Sequence, residues 1–490
     1  MDRKRLIGIV VVGCMLLITA ACGQKPGVIK EATPAGASSG LGGDSVLGTQ
    51  IDPETGEVVD AAGNPVDTSS TGTGTSTGTG TSGDTGTSTG TGTSTSTGNA
   101  PTAAGEPSGG NSTGVSDDVI KIGIHAPLTG AAPVPSDSVE KGKDLYFRWL
   151  ASKNIKLNGR SVQVVLKNDN YNPSQAVSVC KEMVEKDKVF LLSGAAGTDQ
   201  IQACARYAAS VGVPYISAGV TERSVTGLPN YFTTSATYAD QGPLLADYMA
   251  SRLGAKGERN GLVFFDTPNF SDAASAFKNA LKAKGVKLHY EKYVSKAADD
   301  DEAANVIGEL KAQKIKNVYV LTSPFWFIDL NKECTLQSYC PQWVGVGISM
   351  TFDSVATAAC PGIQGAAFFS PFPAWSESKR YDADFDAAVR RFHPEENGGD
   401  DFMWLSWIGG KVIWEGLKLP GKNLTRERFI WFLERKRGLN VGVGPRLDYA
   451  PDNHFGARTV YVNEARCRGG NKEPADNRWH TLVSPPTADF

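Results

Sequence analysis

Beyond residue 118 the chain alternates between short apolar runs and stretches whose apolar residues recur every three or four positions, the mark of strands exchanging with helices. Val119-Ile-Lys-Ile-Gly-Ile124 reads as a strand, a Pro- and Gly-rich loop follows, and a helical pattern runs from about Ser138 to Ala151. Val162-Gln-Val-Val-Leu166 is the next strand. Asn172-Pro173 opens another helix, since Asn caps and Pro suits the first turn. Strand Val189-Phe-Leu-Leu192, a helix from Asp199 to Val211 and strand Pro214-Tyr-Ile-Ser217 continue the series. The order then starts again. Gly261-Leu-Val-Phe-Phe265 is a strand, Ser271 caps a helix ended by Gly285, and Val286 to Val294 is extended. The acids from Asp299 to Glu302 suit the positive end of a helix running to about Gln313. Strands follow at Asn317 to Leu321 and Gln342 to Val346, and Gly365-Ala-Ala-Phe-Phe369 begins another extended segment. This alternation predicts an α/β fold with two doubly wound parallel sheets, because parallel neighbours need a crossover between them. Ligands of such sheets sit beyond the carboxyl ends of the strands, so with two lobes the cleft between them is the expected site.

The amino terminus follows another pattern. Arg3, Lys4 and Arg5 precede an apolar run from Leu6 to Ala21, 16 residues long and short for a bilayer span. Residues 1–21 therefore read as an export signal. Ile18-Thr19-Ala20-Ala21-Cys22 places small residues before a cysteine, as a lipoprotein signal peptidase requires. Cys22 is expected to be lipidated and to anchor the protein on the outer face of the cell membrane. Thr19 departs from the Leu that bacterial lipoboxes usually carry there.

Composition changes the picture for the next stretch. The 490 residues are 40% hydrophobic with a net charge of -3, yet large apolar side chains are almost absent between 23 and 117. Thr71 to Thr97 nearly repeats Thr-Gly and Ser-Thr units. So little apolar surface cannot offset the entropy of ordering, and 22–117 reads as a disordered tether. As a flexible coil it would reach roughly 55 Å. The remainder, about 370 residues, exceeds what one core usually holds, in keeping with two lobes.

Besides Cys14 and Cys22 there are six cysteines, at 180, 204, 334, 340, 360 and 467, an even number that suits disulfides outside the cytoplasm. None forms a Cys-x-x-Cys pair, and the five histidines show no metal spacing, so neither metal nor cofactor is expected. Subtracting the signal's +2 from -3 leaves -5 without a basic block, which excludes nucleic acid as an expected partner. Beyond residue 117, in the part of the chain able to build a core, G-x-S-x-G, His-Glu-x-x-His and Walker patterns are absent, and an enzyme is not expected.

Ile120-Lys-Ile-Gly-Ile-His-Ala-Pro-Leu-Thr-Gly130, Asn168-Asp-Asn-Tyr-Asn-Pro-Ser-Gln-Ala-Val177, Gly212-Val-Pro-Tyr-Ile-Ser217 and Asp240-Gln-Gly-Pro243 together resemble the type I periplasmic binding proteins of the leucine/isoleucine/valine-binding group. The resemblance covers almost all of 119–465. It implies two lobes joined by a three-strand hinge, with lobe 1 at about 118–238 plus 367–440 and lobe 2 at about 239–366 plus 441–490. It also implies a monomer that captures a small polar molecule for the permease and ATPase of an ABC importer. A ligand-sensing receptor that signals to a partner is the alternative. On this frame the cysteines are expected to pair as Cys180 with Cys204, Cys334 with Cys340, and Cys360 with Cys467.

The resemblance also selects site residues. Gly194-Ala-Ala-Gly-Thr198 joins a strand to a helix, and relatives place a hydroxyl contact there, matching Thr198 beside Gly197. Thr198 reads equally as a helix cap. In Ser217-Ala-Gly-Val-Thr221, relatives supply a carbonyl and a Thr hydroxyl, matching Gly219 and Thr221. Lobe 2 is expected to offer Phe270, where relatives commonly carry a cleft Tyr, and Ser323 with Trp326 after a later strand. Gly347 lies where relatives that bind α-amino acids usually carry a Glu for the ammonium group. Burying an ammonium without a partner costs several kcal/mol, so the expected ligand is a neutral or anionic polar molecule such as an amide or carboxylate.

Overall fold

The computed structural model describes residues 49–51, 58–60, 105–130, 134–217, 219, 223–267, 270–468 and 477–483. The signal, Cys22 and Thr221 lie outside these residues. Strands β1 (Thr49–Ile51) and β2 (Val58–Asp60) pair antiparallel, a hairpin within the stretch expected to lack structure. Ile51, Val58 and Val59 are β-branched, which suits the two strands.

The main body holds two sheets. In lobe 1, β3 (Val119–Ala126), β4 (Ser161–Asn168), β5 (Leu191–Gly194), β6 (Tyr215–Ser217) and β7 (Tyr231–Thr233) form an all-parallel sheet in the order β4-β3-β5-β6-β7. In lobe 2, β8 (Asn260–Phe265), β9 (Leu288–Val294), β10 (Asn317–Leu321), β11 (Gln342–Val346) and β12 (Ala367–Ser370) repeat that order as β9-β8-β10-β11-β12. Two antiparallel strands, β13 (Tyr461–Arg466) and β14 (Arg478–Val483), extend the second sheet beyond β12.

The connecting helices lie where the periodicity places them. The first helical pattern is split into α1 (Ser136–Gly142) and α2 (Leu145–Ser152) by a break at Lys143 and Asp144. Helix α3 (Pro173–Glu185) is capped by the Asn172 side chain, which accepts the Gln175 N–H at 2.9 Å, with Pro173 at its first position. Lobe 1 continues with α4 (Thr198–Ser210), and lobe 2 with α5 (Tyr238–Arg252), α6 (Ser271–Ala283), α7 (Asp300–Ala312), α8 (Pro324–Leu336) and α9 (Asp353–Ala359). Ser271 is the first helical residue of α6 rather than its cap, a place taken by Phe270. After β12 come α10 (Ser378–Tyr381), α11 (Ala383–Phe392), α12 (Asp401–Lys418) and α13 (Arg426–Arg435).

The change-overs between lobes fall later than at 367 and 441. Strand β12 bonds to β11 and so belongs to the second sheet. Leu439, Val441, Leu447, Tyr449 and Ala457 pack with Ile120 and Phe190, in the core of lobe 1. The crossing segments bond to one another: Thr233 N–H donates to the His454 carbonyl and Gly456 N–H to the Thr233 carbonyl, each at 3.0 Å, while the Asn463 amide donates to the Phe372 carbonyl at 3.2 Å.

Part of the expected tether is also structured. Asn111 carbonyl accepts the Arg426 N–H at 2.9 Å, Pro107 carbonyl accepts from Arg428 at 3.1 Å, and Glu106 pairs with Arg428. These contacts fasten 105–117 to the amino end of α13, where free N–H groups need acceptors. Two of these bonds are accepted by backbone carbonyls, which composition does not register.

Three disulfides join Cys180 to Cys204, Cys334 to Cys340 and Cys360 to Cys467. The first links α3 to α4; the third holds the end of α9 against the residue after β13.

Candidate functional site

The carboxyl ends of the two sheets meet. Lys296, after β9, pairs with Asp199 in the first turn of α4 at 3.3 Å. Asp353 N–H, at the start of α9, donates to the carboxylate of Asp401 at the start of α12 at 2.7 Å, and the Phe352 and Phe402 rings lie 4.8 Å apart. These contacts span lobe 1 and lobe 2, bringing the segment after β9 to the start of α4 and the segment after β11 to the start of α12.

On the lobe 1 side, Gly194 ends β5, Gly197 takes φ 85° and Thr198 begins α4 with its side chain partly exposed. Beneath this loop runs a fully buried polar chain: His125 Nδ1 is 2.7 Å from Asp169 Oδ2, and its Nε2 is 2.7 Å from the Tyr215 hydroxyl. Burial pushes the Tyr215 phenol well above its ordinary pKa. A β-carbon on Gly194 would collide with the Tyr215 hydroxyl and with Ile201, so the glycine makes room for the chain. Ala195 N–H donates to the His125 carbonyl at 3.0 Å, which ties the loop to β3. Histidine 125 also lies near Cys180 and Cys204, but both sulfurs are engaged in their disulfide and do not make a metal site with it. Gly219 N–H donates to the Ser217 hydroxyl at 3.4 Å, a local turn at the end of β6.

On the lobe 2 side the expected residues separate. Phe270 is partly exposed and packs edge-on to Tyr238 at 6.0 Å and to Phe264 at 6.4 Å. Ser323 caps α8, its hydroxyl accepting the Trp326 N–H at 3.2 Å. Trp326, expected in the cleft, is a core residue instead: it is 3% exposed, donates its indole N–H to the Asp299 carbonyl at 3.2 Å and lies beside Phe265. Its neighbour Phe325 is 55% exposed, because consecutive helical residues point about 100° apart.

Two tyrosines escape a reading of the sequence. Tyr238 opens α5 directly after its cap Thr237, which accepts the Asp240 N–H at 3.0 Å. Tyr319 lies in the middle of β10 and reads as an ordinary core strand residue. Gly347 follows β11 with φ 116°; a β-carbon there would have one heavy atom within 4 Å, the Tyr238 hydroxyl at 3.8 Å. The Tyr238 signal was its position at the start of the helix that follows the first sheet's last strand, in the crossing between lobes.

Two like-ordered sheets closing on a region of loops, hydroxyls and partly exposed rings define a two-lobed solute-binding protein. The chain belongs to the periplasmic binding protein family, whose model matches residues 119–471; its members bind substrates rather than transform them. It is 26% identical over 203 residues to the Leu/Ile/Val-binding protein homolog 3 of Brucella melitensis, covering 41% of this chain and 53% of that protein. It is 24% identical to homolog 2 of Brucella abortus, over 63% of this chain and 81% of that one. The chain thus spans about half the length of the first relative and most of the second. The fold is also that of a solute-binding protein of an ABC transporter from Rhodopseudomonas palustris BisB5 in complex with 3,4-dihydroxy benzoic acid, with TM-score 0.60 and 19% identity over 76% of this chain and 97% of that one. Among the described residues no helix is long and apolar enough to cross a membrane.

Proposed function

We propose that this protein captures a small neutral or anionic polar molecule between its lobes outside the cytoplasm and delivers it to the permease of an ABC importer, anchored to the membrane through a lipid on Cys22. The observation that carries the reading is the pair of contacts across the facing carboxyl ends, Lys296 with Asp199 and Asp353 with Asp401. Two lobes bonded in this way at their rims, and joined by crossing strands, suit a hinge that closes on a ligand. The names of the Brucella relatives and the ligand of the Rhodopseudomonas protein support an amino acid or carboxylate class. Gly347 favours the carboxylate side, since no acidic side chain stands there for an ammonium group.

In this reading Gly197, Thr198, Gly219 and Thr221 contact the ligand from lobe 1 and Phe270 from lobe 2, with Ser323 holding α8 in place behind it. Native mass spectrometry of freshly purified protein tests the reading: a small molecule retained under gentle conditions and released on unfolding is expected. A ligand-free spectrum, together with flat titrations against amino acids, amides and carboxylates, refutes it. For the anchor, Cys22→Ser is expected to release the protein from membranes; unchanged membrane association refutes lipidation.

A further inference from the structure

The lobe 2 wall of the proposed cleft carries more information than its aromatic content. Tyr238 and Phe270 are partly exposed rings set edge to face, backed by Phe264, Phe277 and Tyr319 in one core cluster. In that cluster Tyr319 is fully buried, and its hydroxyl has no hydrogen-bond partner among the described residues. A phenylalanine would fill the same space without stranding a hydroxyl, so the hydroxyl is an unmet polar group in an otherwise apolar layer. Burial holds this phenol well above its ordinary pKa, and the adjacent Tyr238 phenol adds to the effect. The Thr267 hydroxyl, in the turn whose carbonyl accepts the Phe270 N–H at 3.1 Å, is likewise buried and unpartnered. Among the described residues, the one heavy atom within 4 Å of a β-carbon placed on Gly347 is the Tyr238 hydroxyl, at 3.8 Å.

Resting on the solute-binding reading above, we propose that Tyr238 determines specificity in lobe 2: its hydroxyl faces the ligand across the gap at Gly347, and the site takes an aromatic acid rather than an aliphatic amino acid. The chemistry runs from the residues. A phenol O–H donates to a carboxylate, carbonyl or hydroxyl oxygen, whereas an ammonium group needs an acceptor that carries charge. Rings set edge to face present both a negative face and a positive edge, which a planar ring matches better than a branched alkyl chain. Tyr319 acts through Tyr238: its hydroxyl gains a partner when the Tyr238 phenol reorients or a polar ligand atom reaches the layer. Of the nearby acids, Asp266 is solvent-exposed beside the last residue of β8 and Asp272 lies in the first turn of α6.

Calorimetric titration of the full-length protein, stripped of any carried ligand, with benzoate, 4-hydroxybenzoate, leucine, valine and choline tests this. An aromatic acid is expected to bind most tightly, and Tyr238→Phe to weaken it by about three- to tenfold. Tyr319→Phe is expected to weaken binding while leaving the ligand-free melting temperature unchanged or raised, since it removes an unpaired hydroxyl. A purely structural Tyr319 would do the reverse, losing stability without losing affinity. Tighter binding of leucine, valine or choline, or an unaltered affinity in a folded Tyr238→Phe variant, overturns the assignment. So does failure of every probe, and in that case a carried small molecule seen by native mass spectrometry still upholds the solute-binding reading.

Discussion

The carboxylate of Asp401 in lobe 1 accepts the backbone N–H of Asp353 in lobe 2, at 2.7 Å. Asp401 is 9% exposed, and its pKa is held well above the usual aspartate value of 3.8, first by burial and then by the negative charges of Asp353 and Asp400. The charges around it come from both lobes: Asp353 opens α9, and Asp400, the cap of α12, accepts from the Ser138 hydroxyl of α1. A raised pKa means that the folded surroundings, burial and these charges outweighing the Asp353 N–H that favours the carboxylate, favour the protonated acid. Its stabilisation is fully present below the ordinary value and is lost as pH rises through the raised one. Unfolding free energy is therefore expected to fall across that window, and Asp401→Asn to flatten the slope. Urea unfolding followed at a series of pH values measures it, and an identical slope in the variant counts against the assignment.

Arg426 ties three segments together. Its side chain is buried and donates to the carbonyls of Val189 and Phe190 at 2.8 and 3.0 Å, while its N–H reaches Asn111. Arg426→Met removes the charged donors and strands two carbonyls at the approach to β5, at a cost of about 3 kcal/mol. Denaturant titration is expected to show that loss, and removal of 1–104 to leave stability unchanged where removal of 1–117 lowers it.

The disulfides close loops of different length. Cys360 and Cys467 are 107 positions apart, Cys334 and Cys340 only 6. Loop entropy assigns about 5 kcal/mol to the first and about 2 to the second. Replacing each pair by alanine and comparing unfolding midpoints checks this ordering; equal losses contradict it.

Gly194 stands against the buried chain of His125 and Tyr215. Its added β-carbon would lie 2.5 Å from Ile201 Cγ1 and also strike the Tyr215 hydroxyl. Gly194→Ala is expected to destabilise lobe 1 by about 1–3 kcal/mol, and to weaken ligand binding by shifting the loop that carries Thr198. Melting temperature and titration on the same sample separate the two effects.

Local patterns carried much of the fold. The alternation of strand and helix, the Asn172-Pro173 helix start and the two like-ordered halves were all legible, because each depends on residues a few positions apart. Gly347 was legible too, since a missing side chain is missing in any fold. Tertiary structure decided the rest. Strand Ala367–Ser370 has the same apolar character whichever sheet it joins, and hydrogen bonds to Val344–Val346 settle that choice. Trp326 and Phe325 are adjacent aromatics, and only the packing of α8 sends one into the core and the other outward. Tyr319 looks like any strand residue until its neighbours show that nothing pairs with its hydroxyl. Periodicity reports which side of an element is apolar; what covers that side, and which polar atom is left without a partner, depends on segments beyond the reach of any local pattern.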